Sequence, residues 1–125
     1  MMMMKVANVI IAGSRDFGDY DFMSQKLDEV FSSNNFEGCI ITIVSGMARG
    51  VDLLGVHYAQ EHGMDIESLP ANWQKYGRSA GYIRNSEMLG IATHLIAFWD
   101  GTSRGTKHMI DISHKKGIPV FVFKY

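Results

Sequence analysis

The sequence predicts an α/β fold: one domain over residues 1–125, with a five-stranded, mainly parallel sheet and helices on both of its faces. Three observations predict it. Apolar runs of strand length recur along the chain, stretches of helical periodicity alternate with them, and glycine-rich turns close several of the runs. A chain of 125 residues also removes roughly two-thirds of its unfolded surface from water, enough for a core without disulfides or a structural metal.

The elements follow in order. Residues 6–12 (VANVIIA) and 39–44 (CIITIV) are nearly continuous apolar runs, which marks parallel strands buried on two faces, since an exposed face demands polar alternation. Between them Met23, Leu27, Val30 and Phe31 recur at helical spacing after Asp19 or Asp21, either of which can cap the helix, and Ser32, Ser33, Asn34 and Asn35 stop it. A second helix is expected over 51–62, with Val51, Leu54 and Tyr58 on one face and Gly63 as a left-handed C-terminal cap. Residues 65–69 form a weaker third strand. An irregular stretch over 70–78, containing Asn72, Trp73, Lys75 and Tyr76, reads as the wall of a site. A third helix over 79–91 leads into strands at 94–99 (HLIAFW) and 118–123 (IPVFVF), and a fourth helix over 106–116 separates those two. Lys115 and Lys116 suit its negative end, and Gly117 with Pro119 terminates it. Strands alternating with helices in this way give right-handed crossovers.

Composition excludes several classes. With 46% hydrophobic and 20% charged residues the chain is neither disordered, collagen-like nor a disulfide scaffold. Twelve basic and 13 acidic residues give a net charge of −1, so no broad field attracts nucleic acid or an acidic membrane. Cys39, the single cysteine, reads as a small buried core residue, and a reducing, cytoplasmic compartment fits. Lys5 and the apolar run after it fall short of a signal peptide, because Asn8 interrupts a stretch that ends too soon. The four opening methionines read as an uncertain start site. No run reaches the roughly 20 apolar residues of a membrane span.

The polar signals gather where the strands end. The first strand runs into Gly13-Ser14-Arg15-Asp16-Phe17-Gly18, the second into Ser45-Gly46-Met47-Ala48-Arg49-Gly50-Val51-Asp52, and the fourth into Asp100-Gly101-Thr102-Ser103-Arg104-Gly105-Thr106. Each turn joins glycines, which let backbone N–H groups approach a ligand, to a hydroxyl and an arginine ahead of a helix. Ligands of open parallel sheets sit beyond the carboxyl ends of the strands, so the three turns together describe an anion site suited to phosphate. Within the third helix Arg84 and Asn85 are placed to face the same crevice, and Trp73 is the better candidate to stack on a base than Trp99, which closes an apolar strand. The turns match neither G-x-G-x-x-G nor a Walker A loop, which argues against a standard dehydrogenase or NTPase. His57, Glu61 and His62 are spaced one residue too far for an H-x-x-E-H zinc site and read as surface residues, so no metal is expected.

Taken together, Gly13-Ser14-Arg15-Asp16-Phe17, Ser45-Gly46 with Ala48-Arg49-Gly50-Val51-Asp52, Gly81 with Arg84-Asn85 and Met88, and Ala97-Phe98-Trp99-Asp100-Gly101 with Ser103-Arg104-Gly105-Thr106 resemble the YspA/YpsA-related branch of the SLOG superfamily. The resemblance runs in order along nearly the whole chain. It implies a Rossmann-like sheet that binds a nucleotide or nucleotide-derived ligand at its strand ends, in ligand sensing or nucleotide processing. The superfamily also holds DprA-like DNA-processing proteins and LOG phosphoribohydrolases. LOG enzymes carry an arginine followed by a lysine, with a methionine four places after the arginine, where this sequence has Arg84, Asn85 and Met88, and a G-G-x-G-T turn with a glutamate three places after its threonine. Here Gly105-Thr106 is followed by Lys107, His108 and Met109, so the place of that glutamate is apolar.

The leading expectation is therefore a domain that binds a nucleoside phosphate or an ADP-ribose-like molecule, with no other cofactor. Gly13, Ser14, Ser45, Gly46, Gly101, Ser103, Gly105 and Thr106 would donate to phosphate, and Arg15, Arg49 and Arg84 would neutralise it. Asp16, Gly50, Asp52, Trp73, Asn85 and Asp100 complete the expected site. An alternative is hydrolysis of the N-glycosidic bond of a nucleoside phosphate, with Asp16, Asp52, Arg84 or Asp100 as catalytic candidates and Glu87 as a further carboxylate. A DNA-binding module is the third class, disfavoured by the charge balance unless a dimer assembles a basic stripe. A homodimer is implied by the resemblance alone.

Overall fold

The protein is described by a computed structural model over residues 5–125; the four opening methionines lie outside it. Five strands, β1 (Lys5–Gly13), β2 (Cys39–Ser45), β3 (Asp65–Ser68), β4 (His94–Trp99) and β5 (Val120–Lys124), form one sheet in the order β3-β2-β1-β4-β5, with every neighbouring pair parallel. The helices are α1 (Tyr20–Phe31), α2 (Val51–Glu61), a short α3 (Trp73–Tyr76), α4 (Ala80–Ile91) and α5 (Arg104–Lys116).

Period-two alternation along β1 builds two cores. Val9 and Ile11 point to one face, where Met23 and Leu27 of α1 and Val51 and Tyr58 of α2 pack against them with Ile43, Ile96 and Phe98. Ile10 and Ala12 point to the other, against Met88 of α4 and Met109 and Ile110 of α5, with Val44, Leu95 and Ala97. Burying each of these large side chains stabilises the fold by about 1.5–3 kcal/mol. The predicted Rossmann-like arrangement, with helices on both faces, is thus the observed one.

Local chemistry sets the ends of the helices. Asp19 caps α1 by accepting the Phe22 N–H at 3.1 Å, while Asp21 sits in the first turn. Gly63 takes the expected left-handed conformation after α2, with φ 65°, and Gly117, expected to end α5, is left-handed too, with φ 86°. Three expectations are corrected. The stretch over 70–78 is not irregular throughout: Asn72 accepts the Lys75 N–H at 3.1 Å and caps α3, and a 3-10 turn over Gly77–Ser79 follows. The last helix starts at Arg104, two residues before Thr106, because Ser103 is its N-cap. Cys39, at the exposed start of β2, is half-buried instead of a core residue.

In this strand order the chain leaves β1 for β2 on one side, while β4 lies on the other. The crevice between the carboxyl ends of β1 and β4 is where such sheets open, since the connections there diverge to opposite faces.

Candidate functional site

The turn after β1 is packed against its neighbours. A Cβ on Gly13 would collide with the Phe98 carbonyl and lie 2.6 Å from Val51 Cγ2, so only glycine lets β1 end here. The Ser14 N–H donates to Phe98 O at 3.3 Å, and Ser14 O accepts the Val51 N–H at 3.3 Å, tying β4 and the start of α2 to one residue. Ser14 is buried, and its Oγ has no hydrogen-bond partner of normal length. Arg15 and Asp16 are exposed. The Arg15 guanidinium sits 5.6 Å from the centre of the Trp73 ring, a cation–π contact across the mouth of the crevice. Asp16 pairs with Arg49 at 3.1 Å, but with 93% and 71% of these side chains exposed the pair is largely screened.

The turn after β2 sets the buried Asp52 carboxyl near the partly buried Arg84 guanidinium. Ser45 Oγ accepts the Met47 N–H at 3.1 Å and donates to Asp52 O at 3.4 Å, fixing a turn in which Met47 adopts a left-handed φ of 61°. The Gly46 carbonyl accepts Arg84 Nη1 at 2.6 Å. A Cβ on Gly46 would run into that guanidinium, so glycine here is a condition for the arginine's position. Arg84 also donates from Nε to Asn85 Oδ1 at 3.3 Å. The Asp52 carboxylate, 6% exposed in the first turn of α2, accepts the Ala48 N–H at 3.2 Å.

Burial dominates the electrostatics of this pair. It pushes the Asp52 carboxyl up to about 6, against the opposing pull of the Arg84 charge, the Ala48 N–H, the Arg15 charge and the Gly13 N–H. Burial likewise lowers Arg84, with Asp52 opposing and Arg15 adding to the shift. Arg84 stays charged, because a guanidinium loses its proton only far above neutrality.

After β4, Asp100 Oδ1 accepts both the Thr102 N–H at 2.9 Å and the Ser103 N–H at 2.8 Å. The Ser103 and Thr102 N–H groups hold its carboxyl below the usual range, and the Ser14 hydroxyl lies near enough to add a weaker pull in the same direction. Ser103 Oγ and Thr106 Oγ1 are 3.1 Å apart. Trp99 anchors this turn from behind, donating Nε1 to Ser103 O at 3.1 Å. Asn85 links α4 to α5 by donating Nδ2 to Gly105 O at 3.2 Å, with His108 Nδ1 3.1 Å away. Burial lowers the His108 pKa, and Asp111 opposes the shift.

These turns enclose a cleft of about 460 Å³, within the range of small-molecule sites. It is lined by Gly13, Ser14, Arg15, Asp16, Arg49, Asp52, Trp73, Arg84, Asn85, Asp100, Ser103, Gly105 and Thr106, all expected from the sequence. Ser45, Gly46, Gly50 and Gly101 are not on its wall. Ser45 and Gly46 act behind it, through the turn and Arg84. Gly50, at φ 80°, is pressed against the carbonyls of Ser14 and Arg15, and Gly101, at φ 88°, shapes the turn before α5. Of the backbone donors expected after β4, that of Ser103 is taken by Asp100. Glu87 lines a separate recess of about 240 Å³ beside Lys75.

The cleft also contains residues that the sequence did not bring forward as ligand contacts: Ala12, Ala48, Arg78, Gly81, Tyr82, Met88 and Met109. Gly81 and Met88 carried only a resemblance. Arg78 closes the 70–78 stretch that reads as a site wall from the sequence, without being singled out there as a contact. Met109, at the position of the LOG glutamate, lines the cleft and leaves that wall apolar. His57 is exposed and lies 3.0 Å from Glu61, and His62 lies 3.7 Å from Asp28; none of the three lines the cleft. Among the described residues no group of three or more His, Cys, Asp or Glu side chains is placed to hold a metal, and no helix is long and apolar enough to cross a membrane.

Known proteins resemble this chain in sequence or in fold. The chain is 31% identical over 121 residues to the Gene 61 protein of Mycobacterium phage D29, covering 92% of this chain and 94% of that protein. Its fold resembles DNA processing protein A (DprA) of Streptococcus pneumoniae, with a TM-score of 0.69 over 94% of this chain at 16% sequence identity, and it spans 50% of that chain. A family model described as YspA, cpYpsA-related SLOG matches residues 7–76, a segment that runs from β1 through the buried Asp52 to α3. With that match and a relative of nearly equal length, the chain belongs to the YspA, cpYpsA-related SLOG family.

Proposed function

We propose that this chain binds a nucleotide or nucleotide-derived ligand, such as a nucleoside phosphate or an ADP-ribose-like molecule, in the cleft at the carboxyl ends of β1 and β4, as a sensor or processing domain. The observation that carries this reading is Arg84. A partly buried guanidinium is held by the Gly46 carbonyl and Asn85 on the wall of a 460 Å³ cleft, which presents a fixed cation to an anionic ligand. Arg15 and Arg78 line the same cleft, and Trp73, 49% exposed at its mouth, offers a face on which a base can stack. Calorimetry with a panel of nucleoside phosphates tests the reading. Arg84→Ala removes a charged hydrogen-bond donor, for an expected loss of affinity of about tenfold or more with the fold retained. Unchanged affinity would take Arg84 out of the site.

Asp52 favours a second reading, hydrolysis of the N-glycosidic bond. A buried carboxyl with a pKa near 6 is populated in both protonation states close to neutrality, as a general acid or base requires, and it lines the cleft whose LOG-type glutamate position is Met109. Release of free base from nucleoside monophosphates, lost in Asp52→Asn, is the expected result for that activity. No release at high protein concentration leaves binding alone.

A further inference from the structure

The sheet has two outer edges, and they are finished differently. β3 is 4 residues long and carries two exposed acids, Asp65 and Glu67, charges of the kind that keep an edge from recruiting another strand. β5 runs through Val120, Phe121, Val122 and Phe123 before its one charge, Lys124. The register with β4 fixes which main-chain groups of β5 stay open. The Leu95 N–H donates to Pro119 O at 3.0 Å and the Tyr125 N–H to Trp99 O at 3.4 Å. In a parallel ladder of that phase Pro119, Phe121, Phe123 and Tyr125 turn their N–H and C=O groups toward β4, while Val120, Val122 and Lys124 turn theirs outward. Among the described residues no strand pairs with this edge, and Val122 is 39% exposed. Phe121 and Phe123 are half-buried against the core under α1 and α2.

We propose that β5 pairs with β5 of a second copy of this chain, antiparallel across a two-fold axis at Val122, so that the two sheets become one. The edge is its own complement. With Val122 facing itself, Val120 faces Lys124 of the other copy, and all three outward-turned residues are used, for about six main-chain hydrogen bonds. Phe121 then lies opposite Phe123 on the α1 side, an aromatic pair on each side of the axis, and no like charges meet. The pairing also closes on itself. It covers both apolar edges at once and leaves the acidic β3 edges outside, whereas β5 set on β3 would leave a free edge at each end and extend into a filament. None of the β5 residues lines the cleft, so this interface forms with or without a ligand there.

Gel filtration with light scattering over a range of micromolar concentrations tests it, and a mass that rises to twice that of the chain is expected. Val122→Pro removes an N–H that β4 does not use, so the fold should survive in a thermal melt while dimerisation weakens by about tenfold or more. Facing residues of a hydrogen-bonded antiparallel pair have Cα atoms about 5.5 Å apart, within reach of a disulfide. With the single native cysteine removed by Cys39→Ser, Val122→Cys should therefore cross-link into a dimer under mild oxidation, and Glu67→Cys on β3 should not. A monomer at every concentration overturns the proposal. So does a dimer that Val122→Pro leaves at full strength, or one that Glu67→Cys cross-links in preference to Val122→Cys.

Discussion

Asp52 shows how a single residue can be held in a fold at the expense of stability. Its carboxyl titrates near 3.8 in the unfolded chain and about 6 in the fold, so the folded state holds the extra proton between those values. Its favourable contribution is therefore complete below about pH 4 and is lost as pH rises through about 6, leaving the folded protein with a buried charge at neutrality. A tenfold difference in proton affinity between the two states is worth about 1.4 kcal/mol, so Asp52→Asn is expected to stabilise the protein by about 3 kcal/mol at pH 7 and by little at pH 4. Denaturant unfolding of both proteins at the two pH values checks this. An equal difference at both, or a loss at pH 7, would show that Asp52 is held ionised by Arg84. That a group is kept at such a cost on a cleft wall is consistent with a functional role.

At the scale of elements, what the sequence disclosed depended on length. The runs VANVIIA and HLIAFW announced β1 and β4 because strands buried on both faces need unbroken apolar residues, and the caps at Asp19 and Gly117 marked helix ends by conformations that few residues adopt. The four residues of α3 carry too little periodicity to be seen, although Asn72 was a cap in plain view. Cys39 was misplaced because its neighbours in sequence are apolar, while its position at the tip of β2 decides its exposure. The glycine turns were legible as a group. What each glycine does was not: Gly46 and Gly13 are close-approach positions against Arg84 and Val51, contacts made across distant segments of the chain. Asp100 accepts the Thr102 and Ser103 N–H groups of its own turn, so fewer of that turn's donors face the cleft than the sequence suggested.

For the whole molecule, a net charge of −1 conceals a concentrated feature. Arg15, Arg49, Arg78 and Arg84 come from separate turns and helices, and strand order alone brings them to one cleft beside Asp16, Asp52 and Asp100. The sheet acts as the frame: β1 and β4 end side by side, α2 and α5 start there, and α4 carries Arg84 and Asn85 across the opening. The likeness to DprA is one of fold, and DNA binding gains nothing from it on a chain with no surplus of basic residues.

The most direct test of a nucleotide site in this cleft is a titration of the isotopically labelled protein with nucleoside phosphates, followed by backbone amide resonances. Saturable shifts are expected, centred on the turns that carry Ser14, Ala48, Gly105 and Thr106 and on Arg84 and Asn85, with the outer faces of α1 and β5 unmoved. Shifts confined to other surfaces, or no shift with any nucleoside phosphate at millimolar concentration, would contradict it.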